Sequence, residues 1–402
     1  MLELTVTEVA HGGWCVARIA GAGPDASEQD QGKVVFVRHA LPGERVRAKV
    51  TSSTARFARA DAIEIIEPSP GRAEPPCRYA RPDGCGGCDL QHATPAMQRT
   101  LKARVVAQQL RRIAGIEREV EVEELPGPYL GWRTRAGFAV APGGVAGLRK
   151  HRSREIVAID DCLIAHPLVR EAGVPHQRWP GAQSVEVTVS PGSGERSVTV
   201  KGRGPIAQPG RRRFLTQHAA GRTWRVSNGV FWQVHPAAAG TLAAAVLAAL
   251  DPRPAGVALD LYCGAGLFAG VLAAAVGPSG LVIGVESDVA AVRDARKNLA
   301  AYPQARIHRG DATGVLERRG LGGASLAVLD PPRTGATPRL VELLAAPGGP
   351  LRRIAYVSCD PATLARDIAA FAGLGWQLTA LRAFDAFPMT HHVECLATLI
   401  RR

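Results

Sequence analysis

Short apolar runs alternating with polar residues dominate the first 67 positions of the chain: Leu4-Thr5-Val6-Thr7, Lys33 to Val37, Arg45 to Val50 and Ala62 to Ile66. A period of two sends one side of each run inward and the other to water, as in strands. Gly12-Gly13, Gly21 to Pro24 and Leu41-Pro42-Gly43-Glu44 punctuate the runs, so the pattern predicts a small antiparallel barrel. Pro68-Ser69-Pro70-Gly71 reads as a linker, and Pro95 to about Ala114 as a helix with Thr94 at its N-cap and Pro95 in its first position. Residues 119–227 mix strand-like stretches, turns and scattered Arg without a repeat, and no topology follows from them. From Gly229 onward helices alternate with apolar strands: helix 236–250, strand 257–262, helix 267–276, strand 281–286, helix 288–301, and strands at 326–330 and 353–358. That alternation predicts a parallel sheet with helices on both faces. The expected fold class is multidomain α/β. It has a small β-barrel at 1–67, a central α+β segment at 68–228 whose helix 95–114 packs on the C-terminal part, and a Rossmann-like domain at 229–402.

Composition narrows the function classes. A chain of 402 residues exceeds one ordinary domain, and 46% hydrophobic with 21% charged residues excludes a disordered chain. No apolar run reaches the roughly 20 residues that cross a bilayer. The first residues lack the basic and apolar regions of a signal peptide, so the expectation is a cytoplasmic protein with no membrane contact. A net charge of +13 favours a polyanionic partner, nucleic acid first. The eight Cys stand at 15, 77, 85, 88, 162, 263, 359 and 395. In a cytosolic chain, clustered Cys suggest a metal site and isolated ones packing or catalysis.

Ligands of open α/β sheets sit at the carboxyl ends of the strands. After the first strand comes Cys263-Gly264-Ala265-Gly266-Leu267-Phe268, a glycine turn opening a helix. The third glycine of a dinucleotide site is replaced by Ala269. Glu286 ends the second strand, where a carboxylate can accept both ribose hydroxyls, and Asp311 stands where the third should end. With Asp260, Gly264 and Gly266 these residues suit a nucleoside ligand without a pyrophosphate, and S-adenosylmethionine fits.

Asp330-Pro331-Pro332-Arg333-Thr334-Gly335 and Ser358-Cys359-Asp360-Pro361 follow the next two strands, which should be neighbours. Cys359 precedes a helix-opening sequence, and a helix N-terminus lowers a thiol pKa. Glu394 ends the connection Phe387 to Glu394 between the last two strands. One thiol, one carboxylate and one sulfonium donor suffice to methylate carbon 5 of uracil. Thiolate addition at carbon 6 makes carbon 5 nucleophilic, and a base then removes its proton.

Five motifs in order resemble the bacterial uracil-5-methyltransferases of ribosomal RNA and tRNA: Phe231-Trp232-Gln233-Val234-His235, Asp260 to Gly266, Asp330 to Gly335, Tyr356 to Asp367, and Phe387 to Glu394. The resemblance implies a class I methyltransferase domain with Cys359 as nucleophile and Glu394 as base. It also implies Gln233, Tyr262, Glu286 and Asp311 as contacts of S-adenosylmethionine, and Asp330 as a polar contact on the substrate side of the same pocket. The family commonly has Asn at His235 and Gly at His391.

Cys77, Cys85 and Cys88, with Cys162 as fourth ligand, suit structural zinc or an iron–sulfur cluster equally on spacing. In the resembling family these positions hold a [4Fe–4S] cluster, which points to iron. The first 67 residues resemble the RNA-binding TRAM barrel in Gly12 to Arg18 and Leu41 to Glu44, with Cys15 in a structural role. Trp132-Arg133-Thr134-Arg135 resembles a basic segment close to the RNA, implying contacts from Arg133 and Arg135. The competing readings are weaker. Exocyclic-amine methylation leaves Cys359 and Glu394 without roles, cytosine-5 methylation of RNA usually places a Cys in the fourth-strand motif, and a non-catalytic RNA-binding protein needs neither residue. Which RNA and which uridine are not readable from the chain.

Overall fold

The computed structural model describes residues 1–19, 31–202, 208 and 210–401, so the expected turn at Gly21 to Pro24 lies outside the described residues. Strands β1 (Leu2–Ala10), β2 (Trp14–Arg18), β3 (Val34–Arg38), β4 (Arg45–Ser53) and β5 (Phe57–Glu67) close into a barrel of order β1-β2-β3-β5-β4. Alternate residues such as Leu4, Val6, Val35, Val37, Val46 and Ala48 fill it, as the period of two requires. Cys15 is buried there and donates to the Ala40 carbonyl at 3.1 Å, a structural placement.

The segment after the barrel is fastened to it. The buried Glu44 carboxylate accepts from Leu41 N at 2.8 Å, Ser69 N at 3.1 Å and Arg72 Nη2 at 2.8 Å. Burial pushes the Glu44 pKa up, but the Arg72 bond and the two backbone bonds outweigh it and hold the carboxylate below its ordinary value. The expected linker at 68–71 is therefore a clamped turn.

Helix α1 (Pro95–Gln109) begins as expected, with the Thr94 side chain accepting from Met97 N and Pro95 in the first turn, and runs into a π turn at Leu110–Ala114. Both of its faces are covered. Leu101 and Val105 join the barrel core, while Val106 and Leu110 join the core under the large sheet. Between those faces Lys102 donates to Asp385 at 2.6 Å, each side chain being 1% exposed, and to the Phe387 carbonyl at 3.0 Å.

After β6 (Val122–Glu124) comes a five-stranded sheet of order β11-β10-β7-β8-β9. Its strands are β7 (Arg135–Val140), β8 (Ala146–Arg149), β9 (Ile156–Ala158), β10 (Ala182–Ser190) and β11 (Glu195–Gly202), with the short helix α2 (Pro167–Arg170) between β9 and β10. A hairpin of β12 (Phe214–Ala219) and β13 (Arg222–Ser227) follows.

The rest alternates as predicted: α3 (Ala238–Leu250), β14 (Val257–Leu261), α4 (Leu267–Val276), β15 (Leu281–Glu286), α5 (Val289–Asn298), β16 (Ala305–Arg309), α6 (Ala312–Arg319), β17 (Leu326–Leu329), α7 (Pro338–Ala345), β18 (Arg353–Ser358), α8 (Pro361–Gly373), β19 (Trp376–Asp385) and β20 (Glu394–Arg401). The sheet order is β16-β15-β14-β17-β18-β20-β19-β6. Alternation sorts side chains between two faces. Ala355 and Val357 of β18 meet the helices α3 to α5, while Ile354 and Tyr356 meet α6 to α8 and α1. The sheet is not parallel throughout, because β20 runs antiparallel to both β18 and β19. The connection between β19 and β20 is a short loop without the crossover helix that parallel neighbours require.

Two pieces from before residue 229 join this C-terminal layer. β6 pairs with β19, and Trp224 and Val226 of the hairpin enter the core around α3 to α5. Asp294 of α5 binds the hairpin through Ser227 Oγ at 2.8 Å and Arg225 Nε at 3.2 Å. Among the described residues no helix is long and apolar enough to cross a membrane.

Candidate active site

Strand order reverses at β14, whose neighbours are β15 and β17, and a crevice at such a point takes a ligand. Asp260 and Tyr262 stand there. Asp260 is fully buried, and its Oδ2 accepts from Ala269 N at 2.6 Å while Oδ1 has no partner in the protein. Burial pushes its pKa up to about 8 against the opposing Ala269 bond, with Asp330 adding to the rise. Tyr262 sits at φ 66. Gly266, at φ 92, leads into α4 where an added Cβ would lie 3.2 Å from Leu299 and 3.3 Å from Ala295, so both its conformation and its surroundings require glycine.

The Glu286 carboxylate accepts from Gly264 N at 2.9 Å and from Asp288 N at 2.7 Å, which braces the glycine turn against the end of β15. Asp311 caps α6 by accepting from Gly314 N at 2.9 Å. Gln233 and His235, on the segment before α3, are buried, with the His235 ring stacked on Trp132 at 6.0 Å. These residues fit a nucleoside: an orphaned buried carboxylate oxygen, a turn that only glycine can make, and acids at successive strand ends.

The second group lies at the ends of β17, β18 and β20. Ser358 pairs with Cys395, so the antiparallel register continued one step sets Cys359 opposite Glu394. Glu394 is 4% exposed. Burial first, then Asp330, raises its pKa well above the ordinary carboxyl range, with Arg333 opposing. Burial likewise raises Asp330 to about 7.

The Asp330 loop is fastened from β18 and α8. Ala336 N donates to Asp367 at 2.9 Å and to the Tyr356 hydroxyl at 3.0 Å, and Arg366 donates to the Thr334 carbonyl at 2.8 Å. Gly335, at φ 76, could carry no Cβ, which would meet Arg366 and Asp367 within 2.5 Å.

The expectation that a helix N-terminus lowers the Cys359 thiol is corrected here. Its pKa is pushed up to about 11 by burial, then by Glu394 and Asp330, with Arg333 opposing through charge and a hydrogen bond. The first amides of α8 are already taken, since Asp360 accepts from Ala362 N at 3.0 Å and Thr363 N at 2.9 Å. Sequence reasoning assigned no role to Arg333. Its position three residues after Asp330, on the same loop, was the available signal.

Cys77, Cys85, Cys88 and Cys162 line one cavity of about 470 Å³, together with Arg133 and His151. Gly87 N donates to Cys85 Sγ at 3.3 Å, and Ala165 N donates to the Cys162 carbonyl at 3.0 Å. Burial pushes Cys85 up to about 11, with the charges of Cys162 and Cys77 adding to the rise. Among the described residues no three His, Cys, Asp or Glu form a group arranged for a single metal ion. Arg133 faces this cavity. The Arg135 guanidinium is engaged with Glu186 at 2.8 Å and the Val230 carbonyl at 3.2 Å, so any RNA contact would share it with them.

A sheet of this order, with a glycine turn after its first strand and acids ending the strands on either side, defines a class I S-adenosylmethionine-dependent methyltransferase. A family model described as tRNA (Uracil-5-)-methyltransferase matches residues 324–402, which hold Asp330, Cys359 and Glu394, and the TRAM domain model matches residues 1–63. A third, Protein-L-isoaspartate(D-aspartate) O-methyltransferase, matches 207–317 and stops short of those three residues. An uncharacterized RNA methyltransferase of Streptomyces avermitilis is 47% identical over 99% of this chain and 97% of its own. The 23S rRNA (uracil(1939)-C(5))-methyltransferase RlmD of Pseudomonas putida is 34% identical over 95% of this chain and 92% of its own. The fold matches that of the Pyrococcus abyssi tRNA (uracil-54, C5)-methyltransferase with a TM-score of 0.73 at 22% identity, covering 99% of this chain and 100% of that one. The chain belongs to the RNA uracil-5-methyltransferase family.

Proposed function

We propose that the protein methylates carbon 5 of a uridine in RNA, with Cys359 adding to carbon 6 and Glu394 removing the carbon 5 proton. The observation that carries this reading is the meeting of Cys359 and Glu394 across paired strands beside Asp330. Addition of the thiolate forms the sulfur–carbon 6 bond and moves an electron pair onto the uracil enolate. S-adenosylmethionine would be held at Gln233, Tyr262, Glu286 and Asp311 and would supply the methyl group that carbon 5 takes up, its methyl–sulfur bond breaking as S-adenosylhomocysteine leaves. Glu394 then takes the carbon 5 proton, and the returning electron pair expels Cys359. Asp330, buried next to Glu394, serves in this reading as a polar contact on the substrate side of the pocket. Amine methylation would leave this pairing of thiol and carboxyl without a use.

The four cysteines are proposed to hold a [4Fe–4S] cluster in preference to zinc. The donor set is soft, a backbone amide donates to Cys85, and the cavity is wide although among the described residues no three side chains converge on one ion. When bound, the cluster ties the loop 77–88 to Cys162, and methyl transfer, being redox-neutral, draws no electrons from it.

Similarity above 30% identity to an enzyme named for 23S rRNA supports ribosomal RNA as the substrate. The test is mass mapping of 5-methyluridine in ribosomal RNA and tRNA from a deletion strain and its parent. Loss of one 5-methyluridine from 23S rRNA is expected. Loss from tRNA alone would overturn the substrate class, and unchanged 5-methyluridine in every RNA would overturn the function.

A further inference from the structure

The connection between β19 and β20, residues 386–393, delivers Glu394 to the site, yet its shape is imposed from outside. Met389 stands at φ 68, a left-handed conformation that a side chain disfavours and that persists where surrounding contacts over-determine it. Those contacts come from two other parts of the chain. From α1, Gln98 Oε1 accepts from Met389 N at 2.8 Å, and from the cysteine loop Asp89 N and Leu90 N both donate to the Met389 carbonyl at 3.1 Å. Met389 packs with Trp132 and Ile164, and Cys88 lies against the same cluster.

Two residues on, a side chain takes over the hold. The His391 backbone N and Nδ1 donate to the same oxygen of Asp89, Oδ2, at 3.3 and 2.6 Å. Asp89 is itself buried and braced. Its Oδ1 faces Arg38 of the barrel at 4.0 Å and His151 of the β8–β9 turn at 3.9 Å, and a Cβ added at Gly13 would lie 2.8 Å from it. A short side chain packed on all sides cannot follow His391, so the loop conforms to Asp89. Asp89 adjoins Cys88 in sequence and His391 stands three residues before Glu394, so a contact between residues 302 apart joins the cysteine loop to the base.

We propose that Asp89 is a positioning residue that sets Glu394 by hooking the loop 386–393 to the cysteine loop. This deepens the reading of Glu394 as the base and rests on it. The base acts late, removing the carbon 5 proton after thiol addition and methyl transfer. Loosening the hook therefore slows breakdown of the methylated adduct more than its formation.

The experiment has two readouts on the full chain purified anaerobically. The first, without RNA or S-adenosylmethionine, is backbone hydrogen exchange read by peptide mass. Asp89→Ala loses a charge-assisted bond and should speed exchange in residues 386–393 about tenfold, while residues 353–358 of β18 keep the wild-type rate. His391→Ala breaks the side-chain bond from the other end and leaves the cysteine loop untouched. It should act in the same direction, and the two substitutions together should exchange no faster than Asp89→Ala alone. Asp89→Asn keeps an acceptor oxygen and should recover most of the protection. The second readout adds S-adenosylmethionine and the RNA fragment that carries the affected uridine, and follows the covalent adduct by rapid quenching and denaturing electrophoresis. In Asp89→Ala its decay should slow about tenfold while its formation stays near the wild-type rate. Wild-type exchange of residues 386–393 in both Asp89→Ala and His391→Ala, or Asp89→Asn as fast as Asp89→Ala, would overturn the hook. Adduct formation and decay slowed equally would overturn its link to Glu394. If Asp89→Ala loosens β18 as well, His391→Ala carries both readouts. No adduct in the wild type or in Glu394→Gln would overturn the covalent reading itself, and the exchange rates then decide the hook alone.

Discussion

Cys359 and Glu394 meet because the register of β18 and β20 carries one step past Ser358 and Cys395, and the same geometry sets the protonation problem the enzyme must solve. Both groups are inactive when protonated, and both have pKa values raised by burial: the thiol to about 11, the carboxyl well above its ordinary value. As pH rises toward a raised pKa the deprotonated fraction grows about tenfold per unit, so the proposed nucleophile and the proposed base would gain competence together. The kcat/KM for RNA methylation should therefore climb across pH 6 to 9. A flat or falling profile over that range, measured with the RNA shown to stay folded, would contradict the assigned roles. Both positions stand out in the sequence because each lies in a motif at a strand end. The direction of the thiol shift was not, because it depends on Glu394 and Asp330 converging from separate strands and on Asp360 occupying the helix amides. Arg333 and His392 lie 59 positions apart, and Asp89 and His391 lie 302 apart, so no local pattern announces either contact.

At the scale of elements, α1 and the loop 386–393 hold the site together. α1 buries one face in the barrel and the other under the sheet, while Lys102 and Gln98 reach from it to Asp385 and Met389. Its cap and length follow from Thr94, Pro95 and the apolar spacing, but a helix buried on two faces lacks the single stripe that would reveal its partners. β6 has only three residues, too few for an alternation to register, and so its place in the sheet was invisible. The cysteine loop meets the same loop through Asp89, whose backbone N donates to the Met389 carbonyl at 3.1 Å. Anaerobically purified protein should be brown, with about four iron atoms and matching sulfide per chain, as a cubane cluster on four thiolates implies. Cys162→Ala should lose that metal, and Cys15→Ala, whose thiol lies in the barrel core, should keep it. Stoichiometric zinc without iron or sulfide would contradict the cluster, as would full iron retention in Cys162→Ala.

For the whole molecule, the net charge of +13 and the barrel both suit a polyanion, and the sheet order gives the methyl-transfer crevice. The barrel and the alternating α/β layer were legible because hydrophobic periodicity changes from two to the helical repeat along the chain. The interleaving was not, since the hairpin at 214–227 and β6 are fixed by contacts with α5 and β19 rather than by their own patterns. The central claim is covalent catalysis by this assembled corner. Glu394→Gln removes the base but leaves the thiol, so addition and methyl transfer proceed and elimination stops. Incubated with the RNA fragment that carries the affected uridine and S-adenosylmethionine, Glu394→Gln should give a species that survives denaturing electrophoresis. Its mass should equal chain plus RNA plus one methyl group, linked through Cys359, and it should be absent when Cys359→Ala is added. No such adduct, together with 5-methyluridine still formed by Cys359→Ala alone, would contradict the account.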